Sequence, residues 1–159
     1  MYQLDGKQIL INTISYNKLI HYTGECYMNL NTASTITLVA GTFIKVSGTT
    51  TSGLLTNFST SNNKLTYTGT TTNTFSVNCT GSIASPTTNQ SYKLAIFKNG
   101  SLSQNQQVQV RSTAANDKMS FSLSGLIALS TNDFIELYAT DITATNSFIV
   151  EHMNLNVKT

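Results

Sequence analysis

The chain holds 159 residues, of which 40% are apolar and only 10% charged, and its nine basic and seven acidic side chains leave a net charge of +2. That balance offers no electrostatic footprint for a nucleic acid or an anionic membrane, and no run approaches the roughly 20 apolar positions of a membrane-spanning helix. The first residues lack the basic region, apolar stretch and small-residue cleavage site of a secretory signal, so export by that route is not expected.

Residues 1–23 carry Ile9, Leu10, Ile11, Ile14, Leu19 and Ile20 without a clean period. Too apolar for a solvated tail, this stretch reads as an N-terminal arm that anchors a globular domain, residues 24–159, to a partner surface. A domain of that size can bury roughly 70% of its unfolded surface and fold without staples. From Gly24 onward apolar residues alternate with Thr, Ser and Asn, the period of a strand with one face buried. Residues 24–31, 36–40 and 43–48 read as short strands. After the turn Ser61-Asn62-Asn63, residues 64–69 place Leu65 and Tyr67 on one face. Residues 74–84 form a long strand whose inward face carries Phe75, Val77, Cys79 and Ile83. Pro86, the only proline, marks a loop. Residues 91–97 turn Tyr92, Leu94 and Ile96 inward and end at Asn99-Gly100, the strongest short-range hairpin signal. The Gln-rich return, residues 103–111, has only Val108 and Val110 as apolar anchors and reads as an edge strand.

Residues 117–140 organise the rest. Met119, Phe121, Leu123, Gly125, Ile127 and Leu129 share one parity, and Ile135, Leu137 and Ala139 share another beyond Ser130-Thr131-Asn132-Asp133. A β-hairpin is expected across that turn, because Asn and Asp tolerate left-handed backbone angles. In the last strand, residues 147–157, Phe148 and Val150 share one parity while Met153, Leu155 and Val157 share the other. The switch at Glu151-His152 implies a β-bulge or a strand buried on both faces. Short strands, polar turns and no helical period define an all-β jelly-roll β-sandwich.

Chemistry is sparse. Cys26 and Cys79 read as reduced core thiols. His21 and His152 stand in no metal-spaced cluster, and no nucleophile elbow is present. The seven carboxylates, Asp5, Glu25, Asp117, Asp133, Glu136, Asp141 and Glu151, make no spaced pair of the kind that hydrolyses glycosides. No enzyme, cofactor or catalytic residue is expected. Asp133 and Asp141 flank one strand and could meet at the end of a trimer as a calcium site, a thin ligand set for a cation that wants six to eight oxygens.

The order of motifs LTYTG, NTFSVNCTGSIA, YKLAIFKNG and FSLSGLIALSTNDFIELYA, then a closing apolar strand, resembles the globular domain of tumour necrosis factor relatives and complement-type collagen heads. The turn reads Asn132-Asp133 here, so the glycine of the family turn is absent. The blend of VSGTTTSGLL, NKLTYTG, FKNG and GLIALSTNDFIELY is similar to small trimeric β-domains of bacteriophage virion proteins. The resemblance implies a TNF-like homotrimer in which the sheet holding the first and last strands packs around a three-fold axis. Met119, Phe121, Leu123, Met153 and Leu155 are the expected axis residues; the alternative is that they fill the core of one chain and residues of opposite parity face the axis. The implied role is a phage structural protein: a capsid decoration or cement, or a short head spike or fibre, with capsid or tail proteins as partners and host surface glycans or a receptor as contacts. It would reside in the virion after assembly in the host cytoplasm, without nucleic-acid binding or membrane insertion. The alternative role is a free lectin-like or cytokine-like trimer with an aromatic site around Tyr92, Phe134 or Tyr138.

Overall fold

The structure is a computed structural model that describes residues 21–29 and 34–159. The expected anchors Ile9, Leu10, Ile11, Ile14, Leu19 and Ile20 lie outside the described residues. Among the described residues every regular element is a strand: β1 (Thr23–Met28), β2 (Ser34–Thr37), β3 (Ile44–Lys45), β4 (Thr51–Ser52), β5 (Phe58–Ser61), β6 (Lys64–Tyr67), β7 (Asn73–Ser85), β8 (Ser91–Lys98), β9 (Ser101–Arg111), β10 (Asp117–Leu129), β11 (Phe134–Asp141) and β12 (Ser147–Lys158). They form two antiparallel sheets. The first runs β10-β7-β12-β1-β4 with β2 beside β12, and the second runs β5-β6-β11-β8-β9 with β3 beside β11. The two sheets make the expected jelly-roll sandwich, and β9 is the edge strand its poor apolar content foretold.

Alternation does the folding. Along β10 the odd positions Met119, Phe121, Leu123, Ile127 and Leu129 are buried and the even ones exposed, so one face meets the core. Phe75, Tyr67, Phe58 and Tyr22 close the lower core with mostly edge-to-face rings, centroids 5.0–6.3 Å apart. The Asn99-Gly100 turn is a two-residue hairpin loop with φ of 51° and 74°, the left-handed pair that a type I′ turn requires.

The hairpin expected across residues 130–133 does not form. β10 pairs with β7 in the first sheet and β11 with β6 and β8 in the second, so this turn carries the chain from one sheet to the other. Both strands bury an apolar face, but from opposite sides of one core, and alternation cannot say whether two such strands are neighbours or face each other. The turn itself has the expected chemistry. Asn132 sits at φ 69°, and Asp133 Oδ2 accepts from the Ser130 amide at 2.8 Å.

The parity switch in β12 resolves as a bulge. Val150 pairs with Ile83 and His152 with Ser82, leaving Glu151 as the extra residue. Phe148 and Val150 before it, and Met153, Leu155 and Val157 after it, thereby all reach the core. Cys26 and Cys79 are free and buried. Each pairs with Leu155 from either side. Strands two apart stand roughly 10 Å from each other, beyond the reach of about 7 Å between Cα atoms that a disulfide allows.

Candidate functional site

The five expected axis residues all point into the sandwich. Met119, Phe121, Leu123, Met153 and Leu155 are buried within the single chain, which is the alternative that their parity left open. What the first sheet shows outward is the opposite parity. Successive cross-strand rows read Leu126–Ser76–Lys158–Thr23, then Ser124–Asn78–Asn156–Glu25, then Ser122–Thr80–Asn154–Tyr27. Small hydroxyls and amides thus tile three adjacent long strands, and β-branched or short polar groups suit such a pleated surface. Leu126, 73% exposed, is the large apolar group on this face.

The carboxylates Glu25 and Glu151 on the face are engaged. Glu25 Oε1 accepts from Asn154 Nδ2 at 2.7 Å, and Asn154 Oδ1 accepts in turn from Asn156 Nδ2 at 3.1 Å. Glu151, carried outward by the bulge, pairs with Lys118 of β10 at 2.9 Å. Beside the bulge the face sinks into an open depression of about 250 Å³, with Tyr27, Asn29, Thr80, Gly81, His152 and Asn154 around it. Gly81 lets the chains approach there: a Cβ on it would run into the His152 carbonyl oxygen and the Phe121 ring. The signal for this feature in the sequence is the parity switch at Glu151-His152, since a bulge re-aims the side chains beside it.

The second sheet places the other candidates. Tyr92 is fully buried, and its hydroxyl lies 2.7 Å from Ser85 Oγ, so it is a core residue and not a ligand contact. Burial is the main reason its phenol titrates above the usual range, the Ser85 hydrogen bond working against that. Tyr138 stacks on Phe97 with centroids 4.0 Å apart, and Phe43 meets Phe97 edge-on at 5.2 Å. Burial, and then the Glu136 carboxylate, push the Tyr138 phenol up; Glu136 is itself paired with Lys45. Phe134 lies beneath Lys64, whose Nζ is 4.6 Å from the ring centre. These aromatics are occupied by one another and by neighbouring cations. Asp133 and Asp141 sit at opposite ends of β11, roughly 26 Å apart at strand rise, so the two do not form one calcium site. Among the described residues no group of three or more His, Cys, Asp or Glu could hold a metal.

The sandwich has two unlike ends. At one, Tyr22 and Thr159 exchange hydrogen bonds of 3.2–3.3 Å. Lys98 and Asp133 form an ion pair at 2.8 Å across the nearby turns. At the other end four loops are knit together: Gly41 donates to Asp141 O, Leu38 to Asn146 O and Ser112 to Gln90 O, all at 2.8–2.9 Å. Residues 38–42, 86–90, 112–116 and 142–146, which make this end, include no charged side chain.

In class the chain is a TNF-like jelly roll, and particular solved structures share it. PRD1 vertex protein P5 matches at a TM-score of 0.54 with 14% identity, over 86% of this chain and 95% of that one. Eiger TNF from S. frugiperda matches at 0.54 with 11% identity, over 87% and 92%. Murine APRIL matches at 0.52 with 10% identity, over 87% and 98%. At these identities the likeness is one of fold. No protein-family model and no curated protein sequence matches the chain.

Proposed function

We propose that this chain is a non-enzymatic structural protein of a bacteriophage virion, a homotrimeric jelly-roll decoration, cement or short head spike. The observation that carries the reading is the polarity of the domain. The described domain begins at the end where Tyr22 meets Thr159, while the uncharged loop end lies opposite. Two unlike ends suit a particle-bound module, which has one end to attach and one to leave exposed. The fold-length likeness to a phage vertex protein supports the same reading. Self-association falls to the outward face of the first sheet, where Leu126 stands exposed beside a flat, nearly uncharged lattice.

The likeness to APRIL and Eiger equally favours a free trimeric binding module. Two measurements separate the possibilities. Light scattering on the purified chain is expected to give three copies, and Leu126→Asp to shift the population toward monomer with its melting temperature nearly unchanged; a wild-type monomer at micromolar concentration refutes self-association. Deleting residues 1–20, which spares the core contacts of Tyr22 and the first strand, is expected to abolish co-sedimentation with particles while leaving the domain folded. Retained co-sedimentation removes the anchoring role.

A further inference from the structure

We propose that Asn99 is a site of spontaneous deamidation whose rate is set by Asp133, the carboxylate that latches the Asn99 side-chain amide in place. The proposal stands whichever functional reading holds, since its only co-reactant is water. Asn99-Gly100 is the single Asn-Gly step of the chain, and both residues are exposed at the tip of the β8–β9 hairpin. Gly100 has no side chain to shield its nitrogen, and a Cβ there would meet nothing within 4 Å. The reaction is an attack of that nitrogen on Asn99 Cγ. A C–N bond forms, the Cγ–Nδ2 bond breaks, and Nδ2 leaves as ammonia with the proton that the Gly100 amide gives up. Water then opens the cyclic imide at one carbonyl or the other, leaving aspartate or isoaspartate. Nothing is oxidised or reduced.

The fold slows this reaction by fixing the carbon under attack. Both ends of the Asn99 side-chain amide are tied to the turn that crosses from β10 to β11: Nδ2 donates to Asp133 Oδ1 at 2.6 Å, and Oδ1 accepts from the Phe134 amide at 2.9 Å. The Asn99 backbone amide adds a third bond, to Phe134 O at 3.0 Å. The latch is itself held. Asp133 Oδ2 accepts from the Ser130 amide and from the Lys98 ammonium, both at 2.8 Å. Bringing Cγ over the Gly100 nitrogen breaks both side-chain bonds, and the one to the carboxylate is charge-assisted and the stronger of the two. The product does not relatch. A carboxylate at residue 99 gives up the Nδ2 donor and faces Asp133 acceptor to acceptor. An isoaspartyl link also adds a backbone carbon to a turn whose φ values of 51° and 74° fit a two-residue loop. Deamidation therefore uncouples the β8–β9 hairpin from the crossing turn in one direction only.

The test is incubation of the full chain at pH 8 and physiological temperature, with peptide mass mapping of the conversion of Asn99 to aspartate and isoaspartate. The same chain in urea supplies the unlatched rate. Folded wild type is expected to convert about tenfold or more slowly than the chain in urea. Asp133→Ala is expected to convert about tenfold or more faster than folded wild type, the worth of one hydrogen bond to a charged group. Asp133→Asn, which keeps an acceptor oxygen without the charge, is expected to fall between the two and keeps the test open if the alanine variant does not fold. Gly81→Ala is the control for lost stability, placed well up β7 from the Asn73–Leu129 pair at the start of the turn, and is expected to convert at the wild-type rate. Three results overturn the proposal: folded wild type that converts as fast as the chain in urea, Asp133 variants that convert at the wild-type rate, or a Gly81→Ala rate raised as much as that of Asp133→Ala. The last of these assigns the protection to global stability and removes the latch.

Discussion

Replacing Gly81 by alanine probes the point on which the first sheet turns. Gly81 pairs with Phe121 of β10 on one side and Met153 of β12 on the other, one step past the bulge. A Cβ there would collide with the His152 carbonyl oxygen and stand 2.7 Å from Phe121 Cζ. The Phe121 ring is buried in the core and has little room to swing. The His152 carbonyl is backbone and can retreat only by distorting the β7–β12 ladder. Overpacking of this kind costs about 1–3 kcal/mol, while the loss of glycine freedom in the unfolded chain returns about 0.4–1 kcal/mol. The carbonyl clash decides the sign, so Gly81→Ala is expected to lose about 1–2 kcal/mol net. For a chain of this length that is a fall in Tm of roughly 2–8 °C, measurable by calorimetry and by the midpoint of urea unfolding. A midpoint equal to or above wild type refutes the reasoning, because it means that the bulge yields at no cost and does not fix the course of β12.

The remaining predictions concern titratable groups. Burial alone would raise the Asp133 pKa, but hydrogen bonds from Lys98, the Ser130 amide and Asn99, with the Lys98 charge, hold it down to about 2. A depressed carboxylate stabilises the fold above its unfolded pKa and loses that contribution as pH falls toward 2. Asp133→Asn is therefore expected to cost about 1 kcal/mol or less at pH 7, given solvent screening, and to flatten the acid limb of stability between pH 4 and 2. An unchanged acid limb in urea melts across that range removes Asp133 as its source. Burial pushes the Cys26 thiol up to about 12 and Cys79 higher still. Both thiols are expected to resist Ellman's reagent at pH 8 in the native protein and to react fully in denaturant; fast native labelling of either shows that the core opens.

Much of this architecture was legible because side-chain period two is a property of single strands. Alternation located β7, β10 and the inward set Phe75, Val77, Cys79 and Ile83, and the Asn99-Gly100 signal found its hairpin. The parity switch at Glu151-His152 announced the bulge. What alternation cannot carry is the partner of a strand. It therefore left residues 130–133 reading as a hairpin when they cross between sheets, and it left two faces open for Met119, Phe121 and Leu123. The depression was invisible for the same reason: Tyr27, Thr80 and His152 are distant in sequence and meet only through the register of β1, β7 and β12.

The edge of the first sheet shows how pairing information enters from side chains that a strand pattern treats as filler. β10 is a long outer strand without a charge or a proline between Met119 and Leu129, a combination that invites pairing with another chain. Two carbonyls of its second half are already taken. Gln106 Nε2 donates to Leu126 O at 3.2 Å, and Lys98 Nζ donates to Ala128 O at 2.7 Å. Gln106 reaches that position because Gly125 has no side chain; a Cβ there would stand 2.7 Å from the Gln106 Cγ and Nε2 atoms. Gln106 and Gly125, which look like a polar interruption in an edge strand and a gap in an apolar face, are two halves of one device that joins the edges of the two sheets and occupies part of this outer edge.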